Sequence, residues 1–257
     1  MFSDAKRHFL YQVGNATLRL YPYPHLYLTD VLPKDYYAAM RRNLPARGAY
    51  SSLADSGRVT RGAYRERSIF FFEDKDLSKL APEQAAFWRE FAGWFLDDEV
   101  MGLLVAKFDG PIQHRFANCA GNVTLKPEAY LVKDETGYAI GPHTDAPHRL
   151  LSLLLYLPAD DRWQGHGTSL YLPRDRQFTC AGGPHYKPEP FDRIVTMPYV
   201  PNALFAFPKT ETSFHGVEPV AADDIERDLI LYDVRLEGQV TKDPVTRNQT
   251  VAAEARP

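Results

Sequence analysis

Beyond about position 123 the chain breaks into short apolar and β-branched runs, at 129–132, 150–157, 168–172, 203–207, 214–220 and 228–236, separated by Gly, Pro, Asp and Asn. Runs of that length and spacing suggest antiparallel strands joined by turns, so a sandwich or barrel is expected. Upstream the pattern changes. Residues 33–44 and 82–96 carry helical periodicity, the first opening at Pro33 and the second placing Phe87, Trp88, Phe91, Trp94 and Phe95 on one face. Large rings in a helical stripe chiefly bury area, so that face is expected to pack on a sheet. The expected fold is mainly β with N-terminal helices (α+β) and a jelly-roll core. Residues 1–122 form a helical support region, 123–237 the core and 238–257 a polar tail, to which residues from Thr241 to Val245 add an edge segment. At 257 residues a single domain is expected, and no repeat period emerges.

Composition excludes several classes. Thirty basic and 33 acidic residues give a net charge of -3, without the basic excess that phosphate-backbone binding needs, so no nucleic-acid partner is expected. No apolar stretch is long enough to span a bilayer and the first residues lack an apolar signal core, so a cytoplasmic, non-membrane protein is expected. Cys119 and Cys180 then read as thiols, and the Asn-x-Thr triplets at Asn15, Asn122 and Asn248 as chance matches.

The chemistry concentrates in Tyr138-Ala-Ile-Gly-Pro-His143-Thr144-Asp145. An extended chain projects His143 and Asp145 to one side and Thr144 to the other. The best third ligand is His215, in Ser213-Phe214-His215-Gly216-Val217-Glu218-Pro219-Val220, 70 residues after Asp145. Two imidazoles and one carboxylate make the facial triad of non-haem iron, which leaves coordination positions open. His8, His25, His114, His166 and His185 have no such company and read as surface or structural residues.

The order of features resembles the iron(II)/2-oxoglutarate-dependent oxygenase superfamily, in its prolyl-4-hydroxylase-like branch. That order is His-x-Asp, apolar strand, Gly-containing turn, strand, His-Gly-Val-Glu-Pro-Val, then a strand opening on arginine. The likeness covers roughly 124–236. It implies a double-stranded β-helix, an Fe(II) ion on His143, Asp145 and His215, 2-oxoglutarate and O2 as co-substrates, and ascorbate as a usable reductant. No catalytic side chain beyond the ligands is implied. By the same resemblance Arg227, twelve residues after His215, clamps the distal carboxylate of 2-oxoglutarate, and that dianion neutralises its buried charge. Arg193 and Arg235 are the rivals. Tyr130 stands where a family tyrosine contacts the co-substrate, with core packing as the alternative. Two departures are Gly165-His166-Gly167 where many relatives have paired glycines, and Leu229 where some have a hydroxyl.

The resemblance implies oxidation of an unactivated C–H bond with release of succinate and CO2; hydroxylation is favoured because the carboxylate ligand is present. A small-molecule substrate (an amino acid, sugar derivative or natural-product intermediate) is expected ahead of a peptidyl prolyl residue. Another metal-dependent β-barrel enzyme, or a non-catalytic metal- or ligand-binding jelly-roll, remains as a rival. His148, Arg149 and Trp163 are candidate substrate or ligand-supporting residues; Arg162 and the Arg174-Asp175-Arg176 turn read first as solvated surface, as do Arg65 and Arg67, for which contact with an anionic or carboxylate-bearing substrate is the alternative.

Overall fold

The computed structural model describes residues 2–53, 55, 64–117, 119–120, 123–221, 225–238 and 241–242. Helix α1 (Phe2–Asn15) is followed by β1 (Leu26–Leu28), α2 (Lys34–Arg42), β2 (Ser51–Ser52) and β3 (Arg67–Phe71). Next come α3 (Asp74–Leu77), α4 (Pro82–Phe95), α5 (Asp98–Lys107) and α6 (Asp109–Phe116). The strands β4 (Cys119–Ala120), β5 (Val123–Glu135), β6 (Ile140–His143), β7 (Arg149–Tyr156) and β8 (Thr168–Pro173) then alternate between layers with β9 (Phe191–Met197), β10 (Ala203–Pro208), β11 (His215–Val217) and β12 (Glu226–Gly238). A last strand, β13 (Thr241–Lys242), pairs with β4.

The larger sheet has the order β1-β10-β7-β12-β5-β3-β2 and the smaller one β6-β11-β8-β9. Within the eight strands β5 to β12 the first pairs with the last, the second with the second last, and so inward to β8 with β9. A long hairpin rolled in this way is a double-stranded β-helix, the jelly-roll expected from the sequence.

Both faces of β7 are covered, so with a period of two all its positions but Arg149 and Ser152 are apolar or aromatic. Leu151, Leu153 and Leu155 face one way and pack with Phe9, Trp88, Phe91 and Phe95 of the helices. Leu154 and Tyr156 face the other way, into the barrel with Tyr130, Val132, Phe205 and Leu229. The aromatic stripe of α4 does pack on the sheet: all five rings are buried, and Phe95 meets Tyr232 of β12 at 5.1 Å between centroids. Pro82 opens α4, and Asp97 caps α5 by accepting from the Val100 amide.

Three features depart from the sequence reading. Helix α1 was not expected, although Ala5, Phe9 and Val13 recur every four residues and all are fully buried. Strand β9 is buried only at its ends, Phe191 and Met197, and alternates half-buried and exposed positions between them, as an edge strand does. The core also reaches Gly238 in β12, one residue beyond the expected boundary. Residues 243–257 of the tail, Asn122 and Asn248 lie outside the described residues. Cys180 is a buried free thiol. Among the described residues no helix is long and apolar enough to cross a membrane.

Candidate metal centre

The smaller sheet builds the site. His143 ends β6 and His215 opens β11, and the two are register partners across the antiparallel ladder. Their ring centroids lie 4.3 Å apart. Gly216 permits this approach: a Cβ there would stand 2.5 Å from the Ile140 carbonyl oxygen. Asp145 lies two residues past the end of β6, on the loop, and its Oδ1 is 3.8 Å from His215 Nε2. One ligand atom from each of the three residues falls within 4.8 Å of the others.

The surrounding atoms set the protonation state. His143 Nδ1 lies 3.0 Å from the Gly141 carbonyl oxygen, and His215 Nδ1 lies 3.0 Å from that of Ser213. A carbonyl only accepts, so each Nδ1 carries the hydrogen and each Nε2 keeps its lone pair. Burial drives both imidazoles below the ordinary histidine range, and the His215 charge adds to the effect on His143. Burial alone would raise the Asp145 carboxyl, but Arg149, His215 and His143 together hold it well below the usual carboxylate range. Two neutral imidazoles and an ionised carboxylate are the forms that ligate a divalent cation. The donor set therefore fits a metal.

Asp145 is oriented from both sides. Arg149 donates to its Oδ1 at 3.1 Å and Ser152 Oγ to its Oδ2 at 2.8 Å. Arg149 also pairs with Asp233 at 3.2 Å, and Asp233 accepts from Ser152 at 3.0 Å. Burial raises the Asp233 carboxyl to about 6 against the opposing pull of Arg149.

The three ligands open on a cavity of about 580 Å³ inside the barrel mouth. Tyr130, His148 and Arg149 line it, as do Arg67, Tyr138 and His185. Trp163 does not; it is half-buried against the Tyr138 and Val217 cluster. Arg227 is fully buried and also stands off the wall. It pairs with Asp134 at 2.6 Å and donates from Nε to the His166 carbonyl oxygen. Of the rival arginines, Arg193 faces Glu218 at 3.7 Å, and Arg235 pairs with Glu128 at 3.2 Å on the cavity wall.

Two residues read as surface from the sequence belong to the site. His185 places its ring 4.5 Å from that of His143 and hydrogen bonds the Tyr64 phenol. It comes from the long connection between β8 and β9, which no local spacing ties to the ligands. Arg67 sits on β3, paired with β5, so the alternation Arg67, Ile69, Phe71 puts all three on the barrel side. That alternation was visible in the sequence; the pairing of β3 onto the core was not.

No family model matches the chain, and no curated protein does. Solved structures similar to it include a Pseudomonas putida prolyl-4-hydroxylase, at 18% identity and TM-score 0.48 over 90% of this chain and 98% of that one. Another is a Trichoplax adhaerens prolyl hydroxylase in complex with a hypoxia inducible factor peptide fragment, at 16% and 0.49 over 90% and 88%. A third is the epimerase SnoN in complex with Fe3+, alpha ketoglutarate and nogalamycin RO, at 14% and 0.49 over 93% and 85%. Strand pairing and ligand set by themselves define the class: a double-stranded β-helix protein with a two-histidine, one-carboxylate centre at the barrel mouth.

Proposed function

We propose that the protein is an Fe(II)- and 2-oxoglutarate-dependent oxygenase of the prolyl-4-hydroxylase-like kind, acting as a hydroxylase on a small molecule. The observation that carries the reading is the tethered triad opening on a cavity in the barrel mouth. His143, Asp145 and His215 would hold the iron on one face, and O2 and 2-oxoglutarate take the positions left open. When bound, iron and 2-oxoglutarate supply the oxidation: one oxygen atom of O2 enters the substrate C–H bond, the other enters succinate, and CO2 leaves. Ascorbate serves as reductant where iron is oxidised off cycle.

The chain's own residues do the positioning. Ser152 and Arg149 fix the Asp145 carboxylate, and the two backbone carbonyls fix the imidazole tautomers, so the ligand set is formed before the metal arrives. Tyr130, Leu154, Phe207 and Leu231 give the wall an apolar lining that excludes water. Gly183 and His185 close part of the mouth, which suits a compact substrate contacted by His148 and His185.

One feature favours a second reading, a peptidyl prolyl hydroxylase. A further hollow of about 420 Å³ adjoins the first cavity at His148 and Arg235, which line both, and offers room for a longer substrate. The test is succinate formation from 2-oxoglutarate in air with Fe(II) and ascorbate, followed by a screen of free amino acids, sugar derivatives, natural-product scaffolds and proline-containing peptides for a mass gain of one oxygen atom. Product from small molecules supports the first reading and from peptides alone the second. Absence of succinate with all of them removes both and favours a non-catalytic binding protein.

A further inference from the structure

Among the described residues, the inner wall of the cavity carries a positive charge that is only partly balanced. Arg67 grips Asp134 with two parallel bonds, Nε to Oδ1 at 2.6 Å and Nη2 to Oδ2 at 2.8 Å. From the opposite side Arg227 donates to the same Oδ2 at 2.6 Å. Two guanidiniums thus share one carboxylate, and Asp134 and Arg227 are fully buried. Among the described residues no other carboxylate pairs with either arginine. Asp228 lies on the other face of β12, where Lys133 and Arg41 hold it, and Glu135 is taken by Arg47. A largely buried excess of one positive charge costs free energy, and an anion in the cavity would relieve that cost.

Donors without acceptors mark the same place. Arg227 Nη2 and the Tyr138 hydroxyl are both buried and have no hydrogen-bond partner among the described residues. Tyr138 lies under Arg67, whose guanidinium carbon is 4.1 Å from the ring centroid, and both residues are on the cavity wall. The Asp134 pair uses Nε and Nη2 of Arg67, which leaves Nη1 uncommitted. Thr168, also on the wall, accepts from the Tyr156 phenol and so keeps its own hydroxyl hydrogen to donate. The metal end has the opposite balance, with Asp145 and Asp233 against Arg149 alone. The cavity is therefore anionic where a cation would bind and cationic at the Arg67 wall.

We propose that Arg67, from a strand outside the eight-strand barrel, meets the distal carboxylate of the dicarboxylate co-substrate, with Tyr138 and Thr168 beside it and Asp134 and Arg227 as its buried support. The proposal rests on the oxygenase reading. It moves the clamp from Arg227, behind the wall, to Arg67, on it. Arg227 then acts through Asp134: it draws charge from that carboxylate and leaves Arg67 short of full neutralisation.

The test compares 2-oxoglutarate with 2-oxovalerate, which has the same chain and 2-oxo acid but no distal carboxylate. Binding to the Fe(II)-loaded protein without oxygen is followed by calorimetry and by the visible absorption of the chelate. Wild type should prefer 2-oxoglutarate. Arg67→Met should weaken 2-oxoglutarate about tenfold to a hundredfold, the value of a charge-assisted pair, and leave 2-oxovalerate unchanged. Arg67→Lys, which keeps the charge without the fork, should fall between and provides the readout if the methionine variant does not fold. A preference retained in full by whichever variant folds would overturn the Arg67 assignment while leaving the oxygenase reading intact. So would a preference lost in Arg227→Met alone. No binding of either acid by wild type would instead remove the oxygenase reading.

Discussion

His143 and His215 face each other as direct register partners of β6 and β11, and each ring is turned by a hydrogen bond from Nδ1 to the backbone carbonyl oxygen two residues earlier. The sheet ladder thus sets both the spacing and the tautomer of the two imidazoles before any ion arrives. Metal binding should therefore stabilise a fold that already exists. Fe(II) or Mn(II) at a hundredfold excess over its Kd contributes about 2.7 kcal/mol, which for a chain of this size raises the melting temperature by roughly 5–10 °C. Chelator should reverse the shift, and His215→Ala should abolish it. A shift of the same size in that variant would place the metal elsewhere.

Gly216 is where the two strands come closest. Gly216→Ala would drive a Cβ into the Ile140 carbonyl, backbone against backbone, so β6 and β11 must separate. The expected loss is about 1–3 kcal/mol of stability, the usual range for overpacking, together with most of the metal-induced melting shift. Differential scanning calorimetry with and without Mn(II) checks both; a stable variant with wild-type metal response would show that the ladder does not set the site.

Asp134 holds two buried guanidiniums, so its loss should be worse than the loss of either arginine. Asp134→Leu is expected to destabilise by about 3–5 kcal/mol through the stranded cations. Adding Arg227→Met removes one of them and should restore part of that stability, an antagonism that urea denaturation of the two single variants and the double variant would reveal. Strict additivity would mean the three charges are not one network.

Lys209 is buried beneath the ligand loop, where it donates to Thr210 O, Cys180 O and Thr144 Oγ1. Burial chiefly, then Arg115, lowers its ammonium to about 8. Below about 8 both folded and unfolded chains keep the proton. Between there and the ordinary lysine value of 10.5 the folded chain releases it first, so the unfolded chain binds more protons. Stability from this group must then rise with pH across that window. Urea unfolding of the metal-free protein at pH 8, 9 and 10 should show the rise in wild type and lose it in Lys209→Met; equal slopes in the two would contradict it.

The ligand set was legible because each part is local. A His-x-Asp at a strand end and a His-Gly-Val strand are short motifs, and β7, β10 and β12 are apolar enough to be seen without a partner. The strand period even placed Leu229 and Leu231 on the face of Arg227. What local pattern does not contain is how far along the barrel a side chain reaches and which other charge awaits it. The Asp134 partner of Arg227 was not legible, because Asp134, 93 residues earlier, becomes its neighbour only through the pairing of β5 with β12. His185 was missed, and Arg67 was ranked as surface ahead of an anion contact, for the same reason, since the connection between β8 and β9 and strand β3 reach the cavity through tertiary packing alone. The edge strand β9 escaped notice because its exposed face carries the polar residues of a loop.

The most direct measurement of the central claim is an anaerobic titration of the Fe(II)-loaded protein with 2-oxoglutarate, followed by visible absorption. The account expects a saturable charge-transfer band at one equivalent, absent in His215→Ala. Iron bound at His143, Asp145 and His215 with no spectral response to 2-oxoglutarate at any concentration would contradict it.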